Sequence, residues 1–233
     1  MAPTFALFNA HHLSAILFTL IFSIAPLILL KRSPELVSNP QVPKVLGWVL
    51  ILYGIFKHLY GPYGLGEDWR IWLPLHMCQV SNFLAGYALV SGKRGKIIEV
   101  VYFWTFAGAS MALLTPDLKY GWPDPNFILY VMTHWLLILG ALYFPLVEGW
   151  RPQQHSIWKV FKISIYYMLI ILPLNYLIGG GANYLYLRFP PVAGSLMDMM
   201  PPPPGHIPFV MLLAYLAFWL VYSPYWIRDR NTA

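Results

Sequence analysis

The sequence is poor in charge and in cysteine, and its first ten residues carry no Lys or Arg. Asp, Glu, Lys and Arg make up only 10% of the 233 residues, whereas 58% are hydrophobic, which excludes an ordinary soluble domain. The single cysteine excludes an intramolecular disulfide and a zinc site built on a CxxC pair. The first ten residues lack the positively charged start of a signal peptide, so we expect the first apolar segment to remain in the protein.

Long apolar runs predict the fold class. A membrane-spanning helix needs about 20 mostly apolar residues, and the runs here are continuous, unlike the alternating strands of a barrel. The sequence therefore predicts an all-α, polytopic membrane protein that forms one transmembrane domain over residues 1–233. Seven spans are predicted, at about 12–30, 45–60, 71–91, 97–115, 127–147, 160–179 and 206–224.

The distribution of Lys and Arg predicts the orientation. Three of these residues lie in one set of alternate connections, at Arg70, Lys119 and Arg188, and Lys57 lies inside the second span. The positive-inside rule then places the N-terminus outside and the C-terminus in the cytoplasm. This bias explains the net charge of +6 without a nucleic-acid partner. The other connections hold eleven: Lys31, Arg32, Lys44, Lys93, Arg94, Lys96, Arg151, Lys159, Lys162, Arg228 and Arg230.

One connection is too long and too apolar to be an ordinary loop. Residues 179–205 open with GGGANYLYLRFPP and close with MMPPPPG. Proline runs of this kind are stiff and extended. We expect this segment to form a loop or lid that packs onto the outer face of the helices.

Three ionisable residues, His76, Cys78 and His134, lie inside otherwise apolar runs. A charged group in hydrocarbon costs about 2.5 to 3.5 kcal/mol on insertion scales, so such residues are functional candidates by default. In the predicted topology further polar groups lie on the same side of the membrane, which predicts a pocket in the outer leaflet. The site-supporting candidates are His12, Lys57, His76, Gln79, Asp117, Asn175, Asn183 and Asp198.

Helical geometry restricts which base could serve Cys78. Residues two apart on a helix point about 200° away from each other, so His76 is excluded, whereas His76 and Gln79 share a face. His134 matches Cys78 in predicted depth and is the preferred base, with His12 second. A histidine about 3 Å away could take the thiol proton, and the resulting thiolate could carry an acyl group as a thioester.

Structural explanations stay open for each of these residues. A single cysteine in a membrane helix can be a small packing residue, and a buried histidine can simply bond a neighbouring helix. Asp117 in TPDL and Asp124 in WPDPN are also typical of turns and helix caps.

Several motifs in order along the chain carry a family resemblance. They are LPLHMC at 73–78, GASMALLTPDL at 108–118, the His134 segment, RPQQHSIWKVF at 151–161, and GANYLYL at 181–187 followed by PP and SLMD. With these motifs the sequence resembles the bacterial YwaF-like integral membrane family, which is related to the eukaryotic transmembrane protein 164, a phospholipid acyltransferase. Met111 stands where the family usually has Gln, and PPPPG replaces its usual PWPW-like run.

The resemblance implies an activity and the residues that perform it. It implies a Cys–His pair, Cys78 and His134, that moves acyl chains between phospholipids without acyl-CoA and without a cofactor or metal. It also implies that Asn183, Tyr184 and Asp198 support the site. Membrane phospholipids would be both donor and acceptor. Combined with the orientation predicted from Lys and Arg, this predicts a multi-pass protein of the bacterial plasma membrane whose active site faces the extracytoplasmic leaflet.

Two other functions stay open at this stage. The first is a seven-helix lipid hydrolase that uses His12, His76, His134 and Asp117 as metal ligands, although no helix carries an HxxxH pair. The second is a transporter or lipid-binding protein whose polar pocket only holds its ligand.

Overall fold

The protein is built from long helices whose directions alternate along the chain. The computed structural model describes residues 3–191 and 196–231. Within these ranges the one strand-like feature is a bridge between Thr4 and Tyr120. The long helices are α1 (Ala10–Lys31), α2 (Gln41–Gly64), α3 (Met77–Ser91), α4 (Lys96–Leu114), α5 (Pro125–Leu146), α6 (Gln154–Ile178) and α7 (Ile207–Asn231).

Six of these helices, all except α3, are long and apolar enough to cross a membrane. This finding confirms an all-helical, multi-pass membrane protein. Some predicted bounds were too short: α2 extends the predicted 45–60 at both ends, and α6 begins six residues before the predicted 160. The apolar count missed these ends because they carry Gln, Lys, His and Pro residues, which interrupt an apolar run without breaking the helix at its first turn.

The predicted span 71–91 is helical only from Met77 to Ser91, a length of 15 residues. Trp69–Ile71 forms a single 3-10 turn, and the chain between this turn and α3 is irregular. Pro74 explains the break, because proline disfavours helical backbone in the residue before it and lacks an N–H group. His76 consequently precedes α3 as its N-cap residue, in an extended conformation. The prediction that His76 and Gln79 share a helical face was therefore wrong.

Side chains from elsewhere bond the irregular segment before α3. The amide N–H of Leu73 donates to the Tyr184 hydroxyl at 2.8 Å, and the Tyr167 hydroxyl donates to the Leu75 carbonyl at 2.7 Å. Non-helical backbone at membrane depth is tolerated only where protein surrounds it and satisfies its polar groups. These bonds allow the chain to be irregular next to Cys78.

Helix α4 contains a turn of π-helix at Thr105–Ala109, between two α-helical parts. Such turns occur often at functional sites because they shift the register of the side chains that follow. Gly108 lies in this turn, and a methyl group added to it would be 3.7 Å from the Cys78 sulfur. The turn therefore brings α4 close to the start of α3.

Helices α4 and α5 form the centre of the bundle. In their apolar windows 56% and 61% of the residues are buried, against 17% in α1 and 11% in α7, whose exposed leucines face outward. Helices α2 and α3 approach most closely at a pair of glycines. A Cβ atom at Gly47 would lie 2.7 Å from the carbonyl oxygen of Gly86, so this crossing requires a residue without a side chain.

The alternating helices give the bundle two chemically different ends. The N-termini of α1, α3, α5 and α7 meet at one end, which we call the thiol end because Cys78 lies there. The opposite end holds eleven of the fifteen Lys and Arg residues, and we call it the basic end. Between α6 and α7 the structure describes residues 179–191 and 196–206, and His206 just before α7 bonds the Tyr186 carbonyl through Nε2.

Candidate active site

Cys78 lies in the first turn of α3, against a wall of small and apolar side chains. It packs against a buried cluster formed by Ala109 and Leu113 of α4 and Leu137 and Ile138 of α5. The first amide groups of a helix have no acceptor within the helix, so they present a positive potential at its start. Cys78 thus lies where an anion on sulfur would be stabilised by the helix.

His134 lies on α5, one turn before Leu137 and Ile138, and it is buried. Residues three and four apart share a helical face, so His134 is on the side of α5 that Cys78 contacts. Its Nδ1 lies 2.8 Å from the carbonyl oxygen of Tyr130. Because a carbonyl oxygen can only accept, Nδ1 holds the proton of the neutral ring and Nε2 presents a lone pair.

Lys57 is a buried cation beside these groups. Only 9% of its surface is exposed, and its ammonium lies 6.0 Å from the centre of the Trp72 ring. It interacts electrostatically with Cys78 and with His134. Within residues 3–191 and 196–231 no carboxylate forms an ion pair with Lys57. A buried cation without a carboxylate partner is costly, so its position points to an anion formed or bound nearby.

Two tyrosines that the sequence analysis did not select complete the surroundings of the thiol. Tyr130 and Tyr186 both interact electrostatically with Cys78. Tyr130 could have been found from its spacing, because it precedes His134 by four residues on the same helical face. Tyr186 lies in an irregular loop, where no periodicity shows which way a side chain points. We call the following set the thiol cluster: Lys57, His76, Cys78, Tyr130, His134 and Tyr186.

Tyr186 belongs to a strained turn beside the other residues of the thiol cluster. The Tyr186 hydroxyl donates to Asp117, and burial, followed by the charge of Asp117, raises the pKa of Tyr186. Leu185 and Tyr186 have φ values of 60° and 53°, a left-handed conformation that costs non-glycine residues about 1 to 3 kcal/mol each. Bonds to His76 and His206 hold this strained turn in place.

Asn175, Asn183 and Tyr184 hold the same loop by bonds to its backbone. The side-chain amide of Asn175 bonds the N–H of Tyr184 at 2.7 Å and its carbonyl at 2.9 Å. Asn183 accepts from the backbone of Arg188. The Tyr184 hydroxyl donates to the Arg70 carbonyl at 2.7 Å, and burial raises the pKa of Tyr184 to about 12, so it stays protonated. Through these bonds to backbone groups, the three predicted residues hold the loop in place.

The remaining predicted residues occupy different places. His12 bonds the Phe8 N–H through Nδ1 at 2.9 Å and the Leu113 carbonyl through Nε2 at 2.7 Å, which leaves neither nitrogen for Cys78. The buried side-chain oxygen of Gln79 has no partner in the described part of the chain. Asp198 is exposed in the 3-10 turn Leu196–Met199, while Ser195 of its SLMD motif lies outside the described residues. Asp124 caps α5 through the Asn126 N–H, as the turn interpretation predicted.

The four proposed metal ligands do not form a metal site. Across the described ranges, no group of three or more His, Cys, Asp and Glu side chains is arranged to hold an ion. For His12 the reason is local, because backbone groups occupy both of its ring nitrogens.

Comparison with known proteins gives one match. The model of the TMEM164 family matches residues 7–222, which include every residue of the thiol cluster. No curated protein and no solved structure matches the chain. Since the matched stretch covers most of the sequence and confirms the resemblance seen in its motifs, the chain belongs to the TMEM164 family.

Proposed function

We propose that this protein is a membrane-embedded transacylase that moves an acyl chain from a phospholipid to a lysolipid through a thioester on Cys78. Three groups carry the proposal. A thiol lies at the start of a helix next to a buried cation, and a histidine on the adjoining helix has a lone pair on its Nε2 atom. A nucleophile, a base and a positive charge are the parts that acyl transfer needs.

In the first half-reaction, His134 Nε2 takes the proton of Cys78 as the sulfur attacks the ester carbonyl of the donor. The C–S bond forms and the carbonyl becomes an oxyanion. When that oxyanion collapses, the ester C–O bond breaks and His134 returns its proton to the departing lysolipid oxygen. The acyl chain then remains on sulfur as a thioester.

The second half-reaction reverses these steps with a new acceptor. The acceptor hydroxyl gives its proton to His134 Nε2 and attacks the thioester carbonyl. The C–S bond breaks, and the Cys78 thiolate recovers a proton from His134. Water in place of the lysolipid would make the same protein a phospholipase.

Lys57 would stabilise the anions that this sequence produces. Lys57 on α2 interacts electrostatically with Cys78, and because it is buried, little solvent screens that interaction. Electrostatic stabilisation is strongest for a fixed charge in a site that excludes water. The Asn175, Asn183 and Tyr184 bonds would hold the strained Leu185–Tyr186 turn as a lid, which a lipid chain must displace to reach sulfur.

We further propose that the irregular stretch before α3 together with α3 forms a seventh crossing, with the thiol end facing the extracytoplasmic leaflet of a bacterial plasma membrane. The eleven cations at the opposite end support this orientation by the positive-inside rule. A site on that side favours phospholipid over cytosolic acyl-CoA as donor. A reporter inserted at Gly121 should be external and one after Lys96 cytoplasmic, whereas reversed labelling would restore acyl-CoA as donor.

The test of function uses purified protein in liposomes with a phosphatidylcholine donor that carries a labelled acyl chain. With a lysophospholipid acceptor and no acyl-CoA, the label should appear on the acceptor. Cys78→Ala should abolish the transfer. Ser81→Ala is the matched control on the same helix, because its hydroxyl has no partner in the described ranges.

Each other outcome of this test decides between functions. Release of labelled fatty acid with no transfer would indicate a phospholipase. Lipid movement between leaflets that Cys78→Ala retains, with no labelled acceptor, would indicate a transporter and contradict the proposal.

A further inference from the structure

An open groove that contains no residue of the thiol cluster lies between α6 and α7, in the basic half of the bundle. This α6–α7 groove has a volume of about 600 Å³, within the range of about 300 to 1,000 Å³ that is typical of ligand sites. It is lined by the first turns of α6, with Gln154, His155 and Trp158, and by Tyr215, Trp219 and Tyr222 of α7. The transacylase proposal assigns this groove no role.

The walls of the groove suit a molecule with an apolar body and a polar head. Tyr215, Trp219 and Tyr222 follow one another at helical spacing, and the Tyr215 ring meets the Trp158 ring at 6.3 Å. Aromatic rings of this kind are typical of the interface between hydrocarbon and headgroups. Gln154 and His155 are exposed at the end of the groove, where their N–H groups can donate to an anion.

The groove borders exposed apolar residues of α7. Leu216 and Leu220, next to the lining residues on α7, are 53% and 74% exposed. Exposed leucines on a membrane-spanning helix contact acyl chains. A ligand that enters from this side therefore comes from the bilayer.

The positive charges near the groove favour a ligand whose polar headgroup is negatively charged. The Lys162 ammonium lies 5.9 Å from the centre of the Trp158 ring, and Arg151 interacts electrostatically with Tyr222. Arg151 is paired with Asp229, whereas no carboxylate in the described ranges pairs with Lys162. The cation next to Trp158 is thus available to a ligand.

We infer that the α6–α7 groove binds one anionic phospholipid, with an acyl chain against Trp158, Tyr215 and Trp219 and the phosphate near His155 and Lys162. Basic pockets between membrane helices bind anionic headgroups by this combination of charge and apolar contact. This inference concerns a site separate from Cys78, so it stands or falls independently of the transacylase proposal.

The test measures lipid retention by native mass spectrometry on the full chain, with phosphatidylglycerol and phosphatidylcholine of the same acyl chains. Phosphatidylglycerol should bind more tightly. The double variant His155→Leu with Lys162→Met should lose this preference, with affinity lowered about fivefold or more, as expected for one interfacial cation and one donor. Lys44→Met is the matched control, because it removes an exposed cation from the same end, on α2.

Equal binding of the two lipids to the unmodified protein would overturn the inference. So would an equal loss in Lys44→Met, since that would indicate general attraction to the basic end. A photoreactive phosphatidylglycerol provides a test that does not depend on variants. Its cross-link should fall on the peptide holding Trp158 or Tyr215, and a cross-link confined to α1 or α2 would also overturn the site.

Discussion

The polar side chains at the two ends of the molecule have different kinds of bonding partner. At the basic end, charges pair with charges: Arg94 with Glu148, Arg151 with Asp229, and Lys159 with Glu99. At the thiol end the exposed Asp68 and Arg70 also form an ion pair, but the buried side chains of His12, His134 and Asn175 bond backbone groups. Lys57 lies among them without a carboxylate in the described part of the chain.

This difference indicates what each end is built for. Ion pairs at a partly exposed rim neutralise charge and contribute little else. Bonds to the backbone, by contrast, fix each of these side chains in one orientation, and in His134 the bond through Nδ1 leaves Nε2 available. In the proposed function, the thiol end supplies His134 Nε2, the Lys57 ammonium and the Cys78 sulfur for acyl transfer, and the basic end lies at the membrane surface.

The largest effect should come from breaking the Cys78–His134 pair. Cys78→Ala and His134→Ala should each lower transacylase activity about a thousandfold or more, because each removes an essential part of one catalytic unit. The double variant should be little worse than either single one. Labelled acyl transfer in liposomes measures all three, and multiplicative losses would show that the two residues act independently.

Lys57→Met should have the next largest effect. It keeps the length and most of the volume of the side chain while removing the charge that interacts with Cys78. We expect activity to fall about tenfold to a hundredfold, the scale of losing one electrostatic stabiliser, with the protein at least as stable as before. Lys44→Met is the control for loss of a surface charge. Full activity in Lys57→Met would remove Lys57 from the mechanism.

Asn175→Ala tests the supporting layer of the thiol end. Both of its bonds to Tyr184 would be lost, which leaves a buried N–H and a buried carbonyl without partners. The free energy of unfolding should fall by about 2 kcal/mol or more. Asn39→Ala, an exposed residue at the basic end, should cost less. Thermal unfolding in detergent compares the two, and equal losses would contradict the structural role given to Asn175.

The smallest effect should come from breaking an ion pair at the basic end. Arg94→Met removes the pair with Glu148, and the Ala88 carbonyl that Arg94 also bonds keeps the Gly92 N–H as a donor. The free energy of unfolding should fall by about 1 kcal/mol, and acyl transfer should not change. A loss of transfer comparable to that in Lys57→Met would show that the two ends are coupled.

The sequence could predict the helices and the buried ionisable residues, but not the loop that packs beside them. Six of the seven predicted spans could be found because hydrocarbon imposes a length and a composition, and the sequence singles out Cys78, His134 and Lys57 because ionisable groups are rare in such runs. The break before α3 follows from Pro74, although apolar counting alone extended that helix through it. Tyr186 could not be selected, because its direction depends on a strained turn held by distant residues.

The central claim is a covalent thioester at Cys78, and intact-protein mass spectrometry tests it most directly. When donor phospholipid is supplied without acceptor, the protein should gain the mass of one acyl chain, and hydroxylamine should remove that mass. Tryptic peptides should place the adduct on the peptide that contains Cys78. An actively transferring protein that never gains this mass, together with a Cys78→Ala variant that still transfers acyl chains, would contradict the account.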